Sequence, residues 1–187
     1  GIAIDTSSSR VYVTGTFEGT VTFGSTTLTS AGFGDIFVGV LSRDGSWEWV
    51  VHAGGTSTDR GHAIAVDSSG TSYVTGHFRG SASFGTTTLV SAGAHDVFVG
   101  AVSSDGTWQW AVQAGGASMD VGNAIAVDSF GTSYVAGYYR DTASFGSANL
   151  TSAGHNDLFV GAVSSAGTWQ WVVRAGGGRS RRAARRG

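Results

Sequence analysis

The sequence predicts an all-β fold built from three copies of one unit, and three observations predict it. The first is a repeat. Tyr73-Val74-Thr75-Gly76 returns as Tyr134-Val135-Ala136-Gly137, Asp96-Val97-Phe98-Val99-Gly100 as Asp157-Leu158-Phe159-Val160-Gly161, and Trp108-Gln109-Trp110 as Trp169-Gln170-Trp171, each at a step of 61 residues. Tyr12-Val13-Thr14-Gly15, Asp35-Ile36-Phe37-Val38-Gly39 and Trp47-Glu48-Trp49 supply a third copy. The second observation is local: apolar residues come in short runs closed by Gly, Asp and Ser, and no segment carries a period of 3.6. The third is that Val97-Phe98-Val99-Gly100-Ala101-Val102 is apolar on both faces, as befits a strand covered on both sides.

The middle copy shows the elements in order. Ala63-Ile64-Ala65-Val66 is strand A. Asp67-Ser68-Ser69-Gly70 is a turn, because Asp caps its own backbone and Gly accepts positive φ. Strand B is Ser72–Phe78. A Thr-rich hairpin follows between Ser81 and Ser91, centred on Phe84-Gly85. Strand C is Asp96–Ser103, Ser104-Asp105-Gly106-Thr107 a second tight turn, and strand D Trp108–Ala114, with Gly115-Gly116 opening the loop to the next copy. The units run over 1–55, 56–116 and 117–177. Residues 178–187 form an Arg-rich tail expected to be disordered.

With no helices to cover such a sheet, other sheets must do so, and radially stacked blades supply that arrangement. Small residues in strand A (Ala63, Ala65, Ala124, Ala126) suit a crowded inner edge. The fold class is therefore all-β, with β-propeller-type blades: antiparallel four-stranded meanders with an inserted hairpin. Propellers close with four to eight blades, so three copies read as an incomplete propeller. The missing neighbours would be other blades in cis or a second copy in trans. The chain opens in mid-pattern, which reads as a segment of something longer.

These residues resemble a known family. Ile-Ala-Val-Asp-x-x-Gly-x-x-Tyr-Val-x-Gly, then Phe-Gly-x-x-x-Leu-x-Ser-Ala-Gly-x-x-Asp-x-Phe-Val, then Gly-x-Trp-x-Trp and Ala-Gly-Gly, resembles the bacterial SBBP ("seven-bladed β-propeller") repeat. The opening Ala-Val-Asp-x-x-Gly-x-x-Tyr-Val is also similar to NHL-type blades. The resemblance implies a bacterial extracellular or cell-surface protein acting as a scaffold or binding module. It transfers no catalytic motif. The family's Ala-Lys-Leu after Phe-Val is replaced here by Gly100-Ala101-Val102.

Composition removes several classes of function. The 187 residues include no Cys, so no disulfide framework, thiolate zinc site or cysteine nucleophile exists. All 11 basic residues are Arg, so there is no phosphate-loop or Schiff-base lysine. No apolar run reaches the roughly 18 residues of a membrane helix. Residues 1–178 hold six Arg against 13 acids, a net −7, which leaves no basic surface for nucleic acid. The tail holds five Arg and no acid.

Candidate site residues come from where the copies differ. The A–B and C–D turns are tight, whereas the B–C and D–A connections are long and meet at the other end of the meander. Asp59, Arg60, His62, Arg79, His95, Asp120, Asn123, Arg140 and His155 gather at that end, which is the expected ligand-binding face. A lectin-like glycan site is the alternative; it would use the Trp pairs, whose indoles at i and i+2 are expected to share one face of strand D. Packing between blades is the competing role for them. An enzyme is a further alternative, with His62, His77 and Asp141 at the mouth of a channel. No His pair has metal-ligand spacing in the sequence. Gly54-Gly55-Thr56-Ser57-Thr58-Asp59 partly matches a calcium β-roll string, but a plain loop is the stronger reading because the string recurs only once per unit.

Overall fold

The computed structural model describes residues 1–177, and every one of its elements is a β-strand. The Arg-rich tail expected over 178–187 lies outside the described residues. The first unit contains β1 (Ile2–Asp5), β2 (Arg10–Phe17), β3 (Thr20–Phe23), β4 (Thr26–Thr29), β5 (Asp35–Leu41) and β6 (Trp47–Gly55). The second contains β7 (Arg60–Val66), β8 (Ser72–Phe78), β9 (Ser81–Phe84), β10 (Thr87–Val90), β11 (Asp96–Val102) and β12 (Trp108–Gly116). The third contains β13 (Val121–Val127), β14 (Ser133–Tyr139), β15 (Thr142–Phe145), β16 (Ala148–Thr151), β17 (Asp157–Val163) and β18 (Trp169–Ala175).

Turn chemistry sets the meanders. Asp67 Oδ1 accepts from the amides of Ser69 (2.8 Å) and Thr71 (3.1 Å), and Gly70 takes φ +81°. Asp128 repeats this with Phe130 and Thr132. The strands then pair antiparallel in the order A-B-C-D: β1-β2-β5-β6, β7-β8-β11-β12 and β13-β14-β17-β18. These meanders are the blades, and their sheets do not close on one another.

The inserted hairpin does not extend its own blade. β9–β10 adds to the preceding blade through Gly54↔Ser83 and Gly55↔Ala82, and β15–β16 adds to β12 through Ala114↔Phe145, Gly115↔Ser144 and Gly116↔Ala143. The paired glycines permit this: a Cβ on Gly116 would run into the Thr142 carbonyl. The first hairpin, β3–β4, stands as a sheet of its own.

The core consists of two clusters, each lying between blades rather than within one. Tyr12, Ile36, Val38 and Val40 of blade 1 meet Val74, Phe78, Phe84 and Phe98 of blade 2. Val97 and Val99 of blade 2 meet Val135, Tyr139, Phe145 and Phe159 of blade 3. Gly122 of β13 lies so close to Thr75 and Val97 that any side chain there would force the blades apart. The expectation that strand C is buried on both faces holds in full only for β11. In β17, Leu158 and Val160 are 61% and 42% exposed, because no further blade covers them.

Strand D departs from the expectation. Trp108 and Trp110 do not share a face. A β-bulge pairs Ala101 with Trp110 and Val102 with Trp108, so Gln109 is the extra residue and the alternation flips. Trp108 Nε1 donates back to the His52 carbonyl of blade 1 (3.1 Å), and Trp110 Nε1 forward to the Ser165 carbonyl of blade 3 (2.9 Å). Trp49 reaches forward to Ser104 in the same way, and Trp169 back to Gln113. Each described junction is thus closed by one indole from either side.

Candidate binding end of the blades

The long B–C and D–A connections do converge at one end of the blades, but the nine candidate residues divide into two kinds. Asp59 and Asp120 are fully buried. Asp59 Oδ2 accepts from the Gly55 amide (2.8 Å) and Oδ1 from the Arg79 amide (3.0 Å). Asp120 does the same with Gly116 and Arg140. Both carboxylates therefore tie the D–A loop to the next blade and are not offered to a ligand. Burial raises both carboxyls above their ordinary range. The calcium-like string ends on Asp59, whose two oxygens accept the Gly55 and Arg79 amide protons.

The other candidates line the rim. Arg60, Arg79, Asn123 and His155 are exposed, and Arg140 is half-buried. Arg140 Nε lies 3.9 Å from Asp141, which also accepts from Ser118 Oγ at 2.5 Å. His155 stands on the B–C loop of blade 3, whereas His62 and His95 belong to blade 2.

A third residue joins His62 and His95. His77, on β8, stands between them, with ring centroids 4.9 Å from each and both contacts edge-to-face. The three rings come from β7, β8 and the start of β11, which are neighbours in the sheet. They sit on the side of blade 2 that faces β13, where His62 Nδ1 lies 3.1 Å from the Gly122 carbonyl. The Nδ1 atoms of His77 and His95 are buried without a hydrogen-bond partner. Burial, then the charges of His62, His95 and Arg60, hold the His77 imidazole down at about 3. Burial also lowers His62 and His95, with Arg60 acting on both and Arg79 on His95.

Among the described residues, no group of three or more His, Asp or Glu is arranged to hold a metal ion. Nor do the residues considered for catalysis assemble as a set: His62 and His77 meet, while Asp141 is engaged by Ser118 and Arg140. The Trp pairs give no sugar platform at the junctions, since their indoles are spent on interblade contacts. Sequence reasoning separated the histidines because it compared them by spacing along the chain. Aligning strands A, B and C by their turns would have placed all three at the same end of the sheet.

The comparisons agree with this architecture. No protein of curated function matches the chain. Residues 109–138, which cover most of β12, the D–A loop, β13 and most of β14, match the family model described as SBBP, a β-propeller repeat. Residues 109–138 are thus similar to an SBBP β-propeller repeat, and the chain that carries them is an open all-β array of propeller-type blades.

Proposed function

We propose that the chain is a non-catalytic β-propeller scaffold that grows by adding blades of its own kind, and that its loop end is the ligand-binding face. One observation carries the first part: the two ends of the array display the two halves of the junction already formed twice inside it. On blade 3, Tyr134, Leu158, Val160, Trp171 and Val173 are exposed. Val97, Val99, Trp110 and Val112 of blade 2 pack against blade 3, and the hydroxyl of the equivalent Tyr73 lies against Gly131 of blade 3. Gly177, past strand D of blade 3, has nothing near its Cβ position, and at the other end β3–β4 stands as a sheet of its own with no strand D paired to it. The repeat register sets Gly176 opposite Thr22 and Gly177 opposite Val21 of the incoming hairpin. In a solution of this chain alone, the incoming blade belongs to a second copy.

Apolar surface of this size on one sheet face favours association. A bacterial extracellular or cell-surface setting is part of the proposal and rests on the family resemblance. The test is light scattering of the chain across concentration, alone and as Leu158→Arg. Self-association that Leu158→Arg abolishes is the expected result. A monomer at every concentration, with one sharp cooperative melt, overturns the proposal.

A further inference from the structure

We propose that the loop end of the junction between blades 2 and 3, where His62, His77 and His95 cluster on the same blade as Arg60 and Arg79, binds a small oxyanionic group, a carboxylate or a sulfate. The inference deepens the reading of the loop end as a binding face, but needs no assembly of further blades.

The first argument is the break in the repeat. A repeated scaffold keeps the residues that build its junctions, and those positions recur here. The triad does not. At the places of His77 and His95 blade 1 has Thr16 and Gly34, and at all three places blade 3 has Asn123, Tyr138 and Asn156. Arg79 corresponds to Glu18 in blade 1 and to Arg140 in blade 3, and Arg140 already has Asp141 beside it. One junction alone therefore combines three imidazoles with two guanidinium groups.

The second argument is an excess of donors. Among the described residues neither Arg60 nor Arg79 forms an ion pair. The nearest acids on the same loops, Asp59 and Asp120, hold backbone amides on both oxygens. His77 and His95 each leave a buried ring nitrogen unpaired. Buried polar atoms are ordinarily satisfied, so two orphans in one cluster call for a partner. The two guanidinium groups supply donors and positive charge, and each unpaired ring nitrogen in its protonated tautomer adds a further donor, so a partner that accepts hydrogen bonds and carries negative charge suits the cluster. Oxyanions meet both needs, and guanidinium groups bind carboxylate and sulfate oxygens through paired N–H donors.

The third argument excludes a cation. Arg60 acts on all three rings and Arg79 on His95. Positive charge at the mouth opposes a metal ion, and the edge-to-face stacking aims ring edges at ring faces rather than at a common point.

The test follows the histidine ring signals by 15N-edited NMR and the heat of binding by calorimetry. Sodium sulfate and sodium glucuronate are titrated at ionic strength held constant with chloride, and glucose serves as the neutral control. The two salts distinguish a sulfate from a carboxylate ligand. Expected is one saturable site that moves the rings of His62, His77 and His95, weakened at least tenfold by Arg60→Gln and several-fold by Arg79→Gln. Arg43→Gln, in the exposed C–D turn of blade 1 at the opposite end, leaves it unchanged. The proposal is overturned if neither anion saturates, if Arg43→Gln weakens binding as much as Arg60→Gln, or if zinc chloride moves the three rings at one equivalent while neither anion does. Light scattering on the same samples keeps the two proposals apart: sulfate binding to a monomer sinks the assembly and leaves this site standing.

Discussion

Strand C of blade 2 and strand C of blade 3 carry nearly the same residues and live in different surroundings. Asp96-Val97-Phe98-Val99-Gly100-Ala101-Val102 is buried at every position. In Asp157-Leu158-Phe159-Val160-Gly161-Ala162-Val163, Leu158 and Val160 alternate out to solvent. The difference lies in the neighbour, not in the strand. An apolar run marks a strand able to be covered on two faces; whether it is covered depends on another blade. The largest test of this comparison is a charge placed on the two equivalent valines. Val99→Asp buries an unpaired carboxylate at the junction and should cost about 4 kcal/mol or more. Val160→Asp should change the stability of the three-blade chain by less than about 0.5 kcal/mol, while preventing self-association. Urea unfolding and light scattering read the two effects; equal destabilisation by both variants would mean that the junctions do not hold the blades together.

The indoles sharpen the same contrast. Trp110 lies against Gly167 and donates to the Ser165 carbonyl at 2.9 Å, whereas Trp171 has no blade ahead of it and is 45% exposed. Trp110→Ala removes the packing and leaves that carbonyl without its donor, for a loss of about 3 kcal/mol. Trp171→Ala should cost less than about 1 kcal/mol. Acrylamide quenching offers an independent check, since Trp171 should account for most of the accessible fluorescence.

Much of this architecture is legible in the residues themselves. The 61-residue step, the Asp-x-x-Gly turns, the bounds of β8 and the start of β11 follow from periodicity and turn chemistry, which are local; the expected strand C runs on to Ser103, one residue past the end of β11. Three features are not local. The bulge at Gln109 sends Trp108 and Trp110 to opposite blades, and a period-two reading has no signal for it. The hop of β9–β10 onto the preceding blade depends on Gly54-Gly55, which read equally well as a loop opening. The histidine cluster depends on sheet order, which turns distant positions into ring contacts at 4.9 Å. Asp59 and Asp120 show the converse error: polar residues in long loops suggested ligand contacts, yet their oxygens were needed by the loop's own amides.

Covering a face also changes the titration of groups beneath it. Asp96 is fully buried, with Oδ2 accepting from the Ala92 amide at 3.0 Å and Oδ1 unpaired. Burial, with Asp120 nearby, pushes its carboxyl up to about 6 from an ordinary 3.8. The folded state therefore holds this proton more tightly than the unfolded chain does. The resulting stability is full below about pH 4 and is lost as pH rises through about 6. Asp96→Asn keeps an acceptor for Ala92 and has no charge to bury. It should stabilise the protein by about 2 kcal/mol at pH 7.5 relative to the parent, with the advantage vanishing near pH 4. The counterpart Asp157 has Arg174 Nη1 at 3.4 Å, so Asp157→Asn removes a half-exposed ion pair and should not stabilise at all.

The smallest effect at neutral pH, and the most specific to blade 2, belongs to His77. Its ring faces His62 and His95 on its own blade, lies in the field of Arg60, and has the β13 backbone at Gly122 beside the cluster; Arg79 acts on the neighbouring His95. Every charged or titratable group among these repels an added proton. The folded imidazole titrates at about 3 against an ordinary 6.5, so the neutral ring is the form that folds. Its contribution to stability is complete above about pH 6.5 and drains away as pH falls toward 3. His77→Thr installs the residue that blade 1 carries as Thr16 and removes the titration. Whatever its stability at pH 7.5, the variant should lose about 1–2 kcal/mol less than the parent on going to pH 5, read as the difference between two urea midpoints. Thr16→His would give the converse test only if a proton-averse cluster could be built at any junction; with Gly34 beside it in place of a further ring, it should leave the acid slope near that of the parent. Parallel slopes for the parent and His77→Thr would show that the three rings do not repel a common proton, and that the cluster is three separate side chains rather than one electrostatic unit.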